Sequence, residues 1–260
     1  MFQTRTADAV TTLTLSHPPV NAISEEWVRT FEAKLDQLAG TACTVLHIRS
    51  DQKVFCAGAD LKEMRARMDM ADGPDRMYAY VAAIQRLYAR IEKLPQVTLA
   101  EIGGAAMGGG FELALSCDLR IAANEAKVGL PEARLGLIPG AGGTQRLTRL
   151  CGPALASRLI LGAEILDGAA ASALGVVHWT VPRAELPARA AEIVRRIADL
   201  PVAALAASKV CIAAACQPGR GGYTDELEFT RSLLTNAETQ KRVQAFLSGA
   251  TANEKPIKKD

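Results

Sequence analysis

As far as about residue 181 the chain repeats one pattern, a short apolar or β-branched run, a turn and an amphipathic stretch; beyond it only helical pattern continues. Such an order predicts an α/β core followed by helices that cover the core or join subunits. Thr11 to Ser16 alternates threonine with leucine, and Cys43 to Ile48, Val97 to Ile102 and Asp118 to Ala122 read as further strands. Between the first two runs, Ser24 is placed to cap a helix, with Glu25 and Glu26 at its positive end and Gly40 closing it. Trp27, Phe31, Leu35 and Leu38 recur at helical spacing as its buried face. A second helix follows Gly73-Pro74, with Met77, Val81, Ile84, Tyr88 and Ile91 on one stripe and Pro95 beyond its end. Helical segments 185–200, 202–216, 223–234 and 237–247 complete the chain, and the polar stretch 251–260 reads as a frayed end. The division expected is a catalytic core over 1–198 and a helical subdomain over 199–260.

Hydrophobic residues make up 49% and charged residues 22%, enough to bury a core without disulfides or metals. A net charge of +2 argues against a dedicated nucleic-acid binder. Met1 to Val10 lacks the apolar run of a secretory signal, and nowhere do about 18 apolar residues follow one another. No membrane span is expected. The six cysteines are scattered without a CxxC pair, so buried, reduced thiols and a cytoplasmic location are expected.

Several chemistries lack their residues. There is no Gly-Lys pair for a phosphate loop, Gln145 stands where a dinucleotide fingerprint needs its third glycine, and no Gly-x-Ser-x-Gly elbow occurs. His17, His47 and His178 read as structural, and no metal-ligand cluster is visible.

Three stretches carry chemistry. Phe55 to Glu63 (FCAGADLKE) joins a strand to a helix-compatible segment through small residues, either as a plain turn or as a loop whose amides face an anion. Ala106 to Leu115 (AMGGGFELAL) breaks a strand with glycines and opens a helix whose first turn holds Glu112. A first-turn glutamate ordinarily complements the helix dipole, but its apolar neighbours point to burial. Burial raises a carboxyl pKa while the dipole lowers it, and the sequence leaves the winner open. Val128 to Arg146 places Glu132 after Pro131, readable as a surface loop residue, and its Gly140–Gly143 run opens another helix. Two carboxylates in apolar settings beside oriented amides are what adding water to a conjugated thioester requires.

On these residues, over essentially its whole length, the chain resembles the enoyl-CoA hydratase/isomerase family, the crotonase superfamily. The resemblance implies a spiral of repeated ββα units with C-terminal helices that mediate trimerisation, trimers commonly pairing into hexamers. It implies that Glu112 and Glu132 form the acid–base pair, Glu112 activating water and Glu132 delivering the α-proton. It assigns the oxyanion hole to the amides of Ala57 and Gly109. It also implies coenzyme A contacts along Val20, Asn21 and Ala22, along Ala57, Ala59, Asp60 and Leu61, and at Phe246, with Lys62 and Arg65 as phosphate candidates. Coenzyme A enters as part of the substrate, and no metal or separate cofactor is implied. Two departures touch the phosphate contacts: Pro18-Pro19-Val20 stands where a basic residue is common, and Gly249 stands where Phe-x-x-Lys would place a lysine. Hydration is the reaction expected, with Δ3–Δ2 isomerisation or a branched-chain, methylglutaconyl-type hydration as alternatives. RNA binding through the locally basic Leu61 to Met68 is a remote one.

Overall fold

The computed structural model describes residues 1–249 apart from Ala39, Pro218 and Arg220, so the polar stretch 251–260 lies outside the described residues. Contacts divide the chain into Met1–Asp199 and Leu200–Asp260.

The first unit opens with a hairpin, β1 (Phe2–Ala7) and β2 (Val10–Leu15), joined by Asp8 and Ala9 at positive φ. The sequence pattern missed β1, which is exposed along most of its length. Its one large apolar residue, Phe2, packs against Trp27 and Phe31, each ring centroid 5.1 Å away. Helix α1 (Glu25–Leu38) buries the stripe Trp27, Phe31, Leu35 and Leu38, and Ser24 Oγ caps it by accepting from Trp27 N at 3.0 Å. Strand β3 (Val45–Ser50) leads to α2 (Leu61–Met68) and α3 (Gly73–Glu92), and β4 (Val97–Ile102) follows with all six residues buried. A strand buried on both faces is what a parallel sheet under helices requires, and its two polar residues are partnered, Thr98 with Asp118 and Glu101 with His47.

The short β5 (Ala106–Met107) feeds α4 (Gly109–Ser116); β6 (Leu119–Ala123) and β7 (Lys127–Gly129) follow. A 3-10 turn (Glu132–Leu135) then leads to α5 (Gly143–Leu161). β8 (Ile165–Asp167), α6 (Gly168–Ala173), β9 (Trp179–Val181) and α7 (Leu186–Ala198) close the unit. Strands of two or three residues show no period, so β5, β7, β8 and β9 left no sequence signal.

Six strands form one sheet in the order β1-β2-β3-β4-β6-β9, parallel except for the hairpin. A second, three-stranded sheet runs β5-β7-β8. Isolated parallel bridges, Ile23 with Ala59 and Cys56 with Ala106, extend this second layer back along the chain. Each repeat thus gives one strand to the large sheet, a short extended segment to the second layer and then a helix. Helices α1 and α3, α3 and α4, and α4 and α5 pack in succession, while α7 lies across the large sheet. This is the ββα spiral expected.

Some details depart from the sequence reading. Met77 and Val81 are only half-buried, and the inner face of α3 is Tyr80, Ile84, Leu87, Tyr88 and Ile91. Cys43, Cys56 and Cys117 are buried, but Cys151 and Cys211 are half-buried and Cys216 is exposed. His47 Nε2 pairs with Glu101 at 2.8 Å, and His178 Nδ1 accepts from Arg120 N at 3.1 Å, both structural roles.

The second unit contains α8 (Val202–Ala214), α9 (Gly222–Leu234) and α10 (Ala237–Leu247). Helix α8 packs on α9, and α9 on α10. Asn236 caps α10 through its Oδ1. Among the described residues no single helix is long and apolar enough to cross a membrane.

Candidate active site

Glycine decides where the first catalytic candidate sits. Gly108, between β5 and α4, has φ of 52°, which suits a residue without Cβ. A methyl group there would stand 2.8 Å from Glu132 Oε1, so the glycine also makes room for that carboxylate. Helix α4 begins at the next residue and places Glu112 in its first turn, 2% exposed among Phe111, Leu113 and Leu115.

Glu112 Oε1 accepts from the amide of Gly143, the first residue of α5, at 2.7 Å. A Cβ on Gly143 would lie 2.8 Å from that same oxygen. Glu132 opens the 3-10 turn after Pro131, and its Oε2 is buried without a hydrogen-bond partner among the described residues.

The electrostatics follow from this placement. Burial raises the Glu112 pKa to about 7; the Gly143 amide opposes the rise and the nearby Glu132 carboxylate adds to it. The Ala141 amide and Arg146 pull it down more weakly. Between burial and favourable dipoles, burial wins. Glu132 is also raised, chiefly by burial.

Backbone donors face the same space. In the bridge between Ile23 and Ala59, Ile23 N donates to Gly58 O at 2.9 Å and Asp60 N donates to Ile23 O at 2.8 Å. Ala59's own N–H therefore turns the other way, towards Gly109: a methyl on Gly109 would stand 3.7 Å from Ala59 N. Among the described residues no hydrogen bond engages the amide of Ala59 or of Gly109. This corrects the expectation for Ala57. Its amide donates to Val20 O at 3.0 Å and is not available to a ligand. Residues 57 and 59 have the same local sequence character; pairing with residues 20–23 decides which one presents its N–H.

Ala59, Gly109, Glu112 and Glu132 line one cavity of about 990 Å³, all within the first unit. Its remaining wall is mostly apolar and includes Met64, Met77, Val81, Ile84 and Ile138. The segment 64–77 supplies part of this wall through α2 and the start of α3.

The expected coenzyme A contacts divide. Ala59 and Leu61 line the cavity. Asp60 Oδ1 caps α2, accepting from Lys62 N at 2.8 Å and Glu63 N at 3.2 Å. Val20 and Ala22 are half-buried, Val20 holding the Ala57 amide. Lys62 is exposed at the start of α2, and Arg65 pairs with Asp69 at 3.1 Å. Phe246 is exposed on α10 of the second unit. Arg67, in the segment weighed for RNA, is buried, and its Nη2 lies 2.7 Å from Glu25 and 2.8 Å from Glu63. Leu61 to Met68 therefore presents no continuous basic face.

Sequence reasoning missed two supports. Tyr88 Oη donates to Gly109 O at 2.8 Å, and Arg146 ties Ala141 O to Glu92 with bonds of 2.7 and 2.6 Å. Arg146 fell inside the third stretch but had no assigned partner; Tyr88 read only as part of an apolar stripe.

The sequence profile of the enoyl-CoA hydratase/isomerase family matches residues 5–254. The chain belongs to that family. A probable mitochondrial enoyl-CoA hydratase 2 of Arabidopsis thaliana is 35% identical over 239 residues, 91% of this chain and 77% of the relative. The mitochondrial methylglutaconyl-CoA hydratase of Mus musculus is 45% identical over 160 residues, covering 60% of this chain and 49% of that protein. The chain thus matches only about half the length of this second relative. Among solved structures, an enoyl-CoA hydratase from Geobacillus kaustophilus superimposes with a TM-score of 0.89 at 31% identity, covering 95% of this chain and 93% of that one. The spiral of this family member is therefore the crotonase fold.

Proposed function

We propose that this protein hydrates 2-enoyl-CoA thioesters to 3-hydroxyacyl-CoA. The observation that carries the reading is the convergence of two carboxyl groups, Glu112 buried and Glu132 half-buried, on one cavity with the uncommitted amides of Ala59 and Gly109. The amides of Ala59 and Gly109 donate to the thioester oxygen and stabilise the enolate-like charge that develops as C3 is attacked. Glu112 takes a proton from water as its oxygen bonds to C3, and Glu132 delivers a proton to C2. The π bond between C2 and C3 is consumed, and the two protons balance between the carboxyl groups. Burial raises both carboxyl pKa values, Glu112 to about 7, so near neutral pH the pair shares a proton, and the microstate with Glu112 ionised and Glu132 protonated supplies base and acid. A water touching both carboxyl groups lets the proton redistribute between turnovers.

Purified protein mixed with crotonyl-CoA should consume the conjugated thioester absorbance. Glu112→Gln and Glu132→Gln should each slow this by roughly 10² or more, the range of general acid–base catalysis. A Glu112→Gln variant that keeps native activity would transfer the chemistry to Glu132 alone and favour isomerisation.

The same reading includes self-assembly through the second unit. Tyr223, Leu227, Leu234 and Phe246 of its helices are exposed, an arrangement in keeping with burial between subunits. Light scattering should report a trimer or a pair of trimers; a monomer at micromolar concentration would end this part of the proposal.

A further inference from the structure

The cavity sets two carboxyl groups in a wall that is otherwise mostly apolar. Among the described residues, no charged side chain besides Glu112 and Glu132 lines it, and no lysine, arginine or histidine does. Its polar side chains are largely committed elsewhere: Tyr80 Oη donates to Ile23 O at 2.6 Å and Gln85 Nε2 to Gly140 O at 2.6 Å. Two buried cations stand behind the wall and are already paired: Arg67, its guanidinium over the Tyr80 ring at 4.3 Å, with Glu25 and Glu63, and Arg146 with Glu92 and Ala141 O. Methionines 64, 68 and 77 supply much of the apolar surface, and unbranched thioether chains adapt to different shapes. At about 990 Å³ the cavity stands at the upper end of small-molecule sites.

Resting on the hydratase reading above, we infer that this cavity selects uncharged, wholly apolar acyl groups longer than crotonyl and rejects acyl groups that carry a second carboxylate. A distal carboxylate would leave water to meet methyl groups and two acidic side chains, with no cation to pair it. Each further methylene would instead leave water for an apolar wall. The inference runs against the substrate named for the methylglutaconyl-CoA hydratase relative, although that protein shares 45% identity over the matched stretch.

The test compares kcat/KM of the full-length protein for crotonyl-, 2-hexenoyl- and 2-octenoyl-CoA, and for 3-methylcrotonyl- and 3-methylglutaconyl-CoA. The expected result is a rise of up to about fourfold per added methylene until the pocket is full. The distal carboxylate should lower kcat/KM by about 10² relative to its uncharged methyl counterpart. A dicarboxylic substrate equal to or better than that counterpart, or a fall from crotonyl to octenoyl, would overturn the inference. If no enoyl-CoA is hydrated, the hydratase reading fails by itself. Calorimetric binding of butyryl-, octanoyl- and glutaryl-CoA then tests the pocket independently: octanoyl must bind tightest and glutaryl weakest of the three.

Discussion

The Gly143 amide donates to Glu112 Oε1 across 2.7 Å, so the first residue of α5 holds a carboxyl group carried by α4. A methyl group at residue 143 would come within 2.8 Å of that oxygen and 2.9 Å of Pro139 Cβ. Gly143→Ala should therefore push Glu112 aside. Activity towards crotonyl-CoA should fall about 10²-fold, the cost of misplacing a catalytic group by about 1 Å, and stability by about 1–3 kcal/mol. Unchanged turnover would show that the contact does not position Glu112.

Glu112 also makes stability depend on pH. Its pKa rises from 4.5 to about 7 on folding, so between these values the folded protein holds a proton that the unfolded chain has released. Stability is then lost as pH rises through that window, by a total of about 3 kcal/mol above it. Glu112→Gln keeps an acceptor for Gly143 and carries no charge. In urea titrations it should be more stable than the native protein at pH 8 and indistinguishable at pH 4. A gap that is constant with pH would refute the linkage.

Catalysis should show a bell. The hydratase mechanism needs one carboxylate and one carboxylic acid, and both groups have raised pKa values. The alkaline limb of kcat/KM should fall near pH 7, where the second proton of the pair leaves, and the acid limb should lie above the ordinary glutamate value. Glu132→Gln removes the like charge and should lower the pKa of Glu112, read by direct carboxyl titration. A kcat/KM flat from pH 5 to 9 would sink the shared-proton scheme.

Tyr88→Phe removes the donor to Gly109 O, 2.8 Å away, at the start of the glycine run. The loss of one buried hydrogen bond should cost about 1 kcal/mol in urea unfolding. Because the Gly109 amide is then less firmly aimed, kcat should fall several-fold with KM little changed. A change in KM alone would mean that Tyr88 supports binding, not the transition state.

The two glutamates and the glycine runs beside them were legible because their signals are local. A strand broken by glycines opens a helix in almost any context, and the residue four places on then falls in its first turn. The same locality explains the successes at α1 and in the four C-terminal helices, where capping and spacing suffice. It also explains the failure at Ala57. Ala57 and Ala59 flank one glycine and look alike, but only the bridge to Ile23 turns the Ala59 amide outward, and Ile23 lies 36 residues earlier (59 − 23 = 36). Met77 and Val81 shared a helical stripe with Ile84 and Tyr88 on spacing alone, yet they are only half-buried, lining with Ile84 a cavity whose wall also includes Met64, Met68 and Ile138.

By itself, then, the sequence determined the repeating strand–helix order, the helical C-terminus and the residue types at the site, because periodicity, caps and glycine act within one or two turns of chain. The tertiary structure decided which amides are free, which wall of α3 faces the cavity and how strongly Glu112 holds its proton. Those properties depend on groups far apart in sequence: the Gly143 amide and the Glu132 carboxylate reach Glu112 only when α4, α5 and the 3-10 turn have packed together.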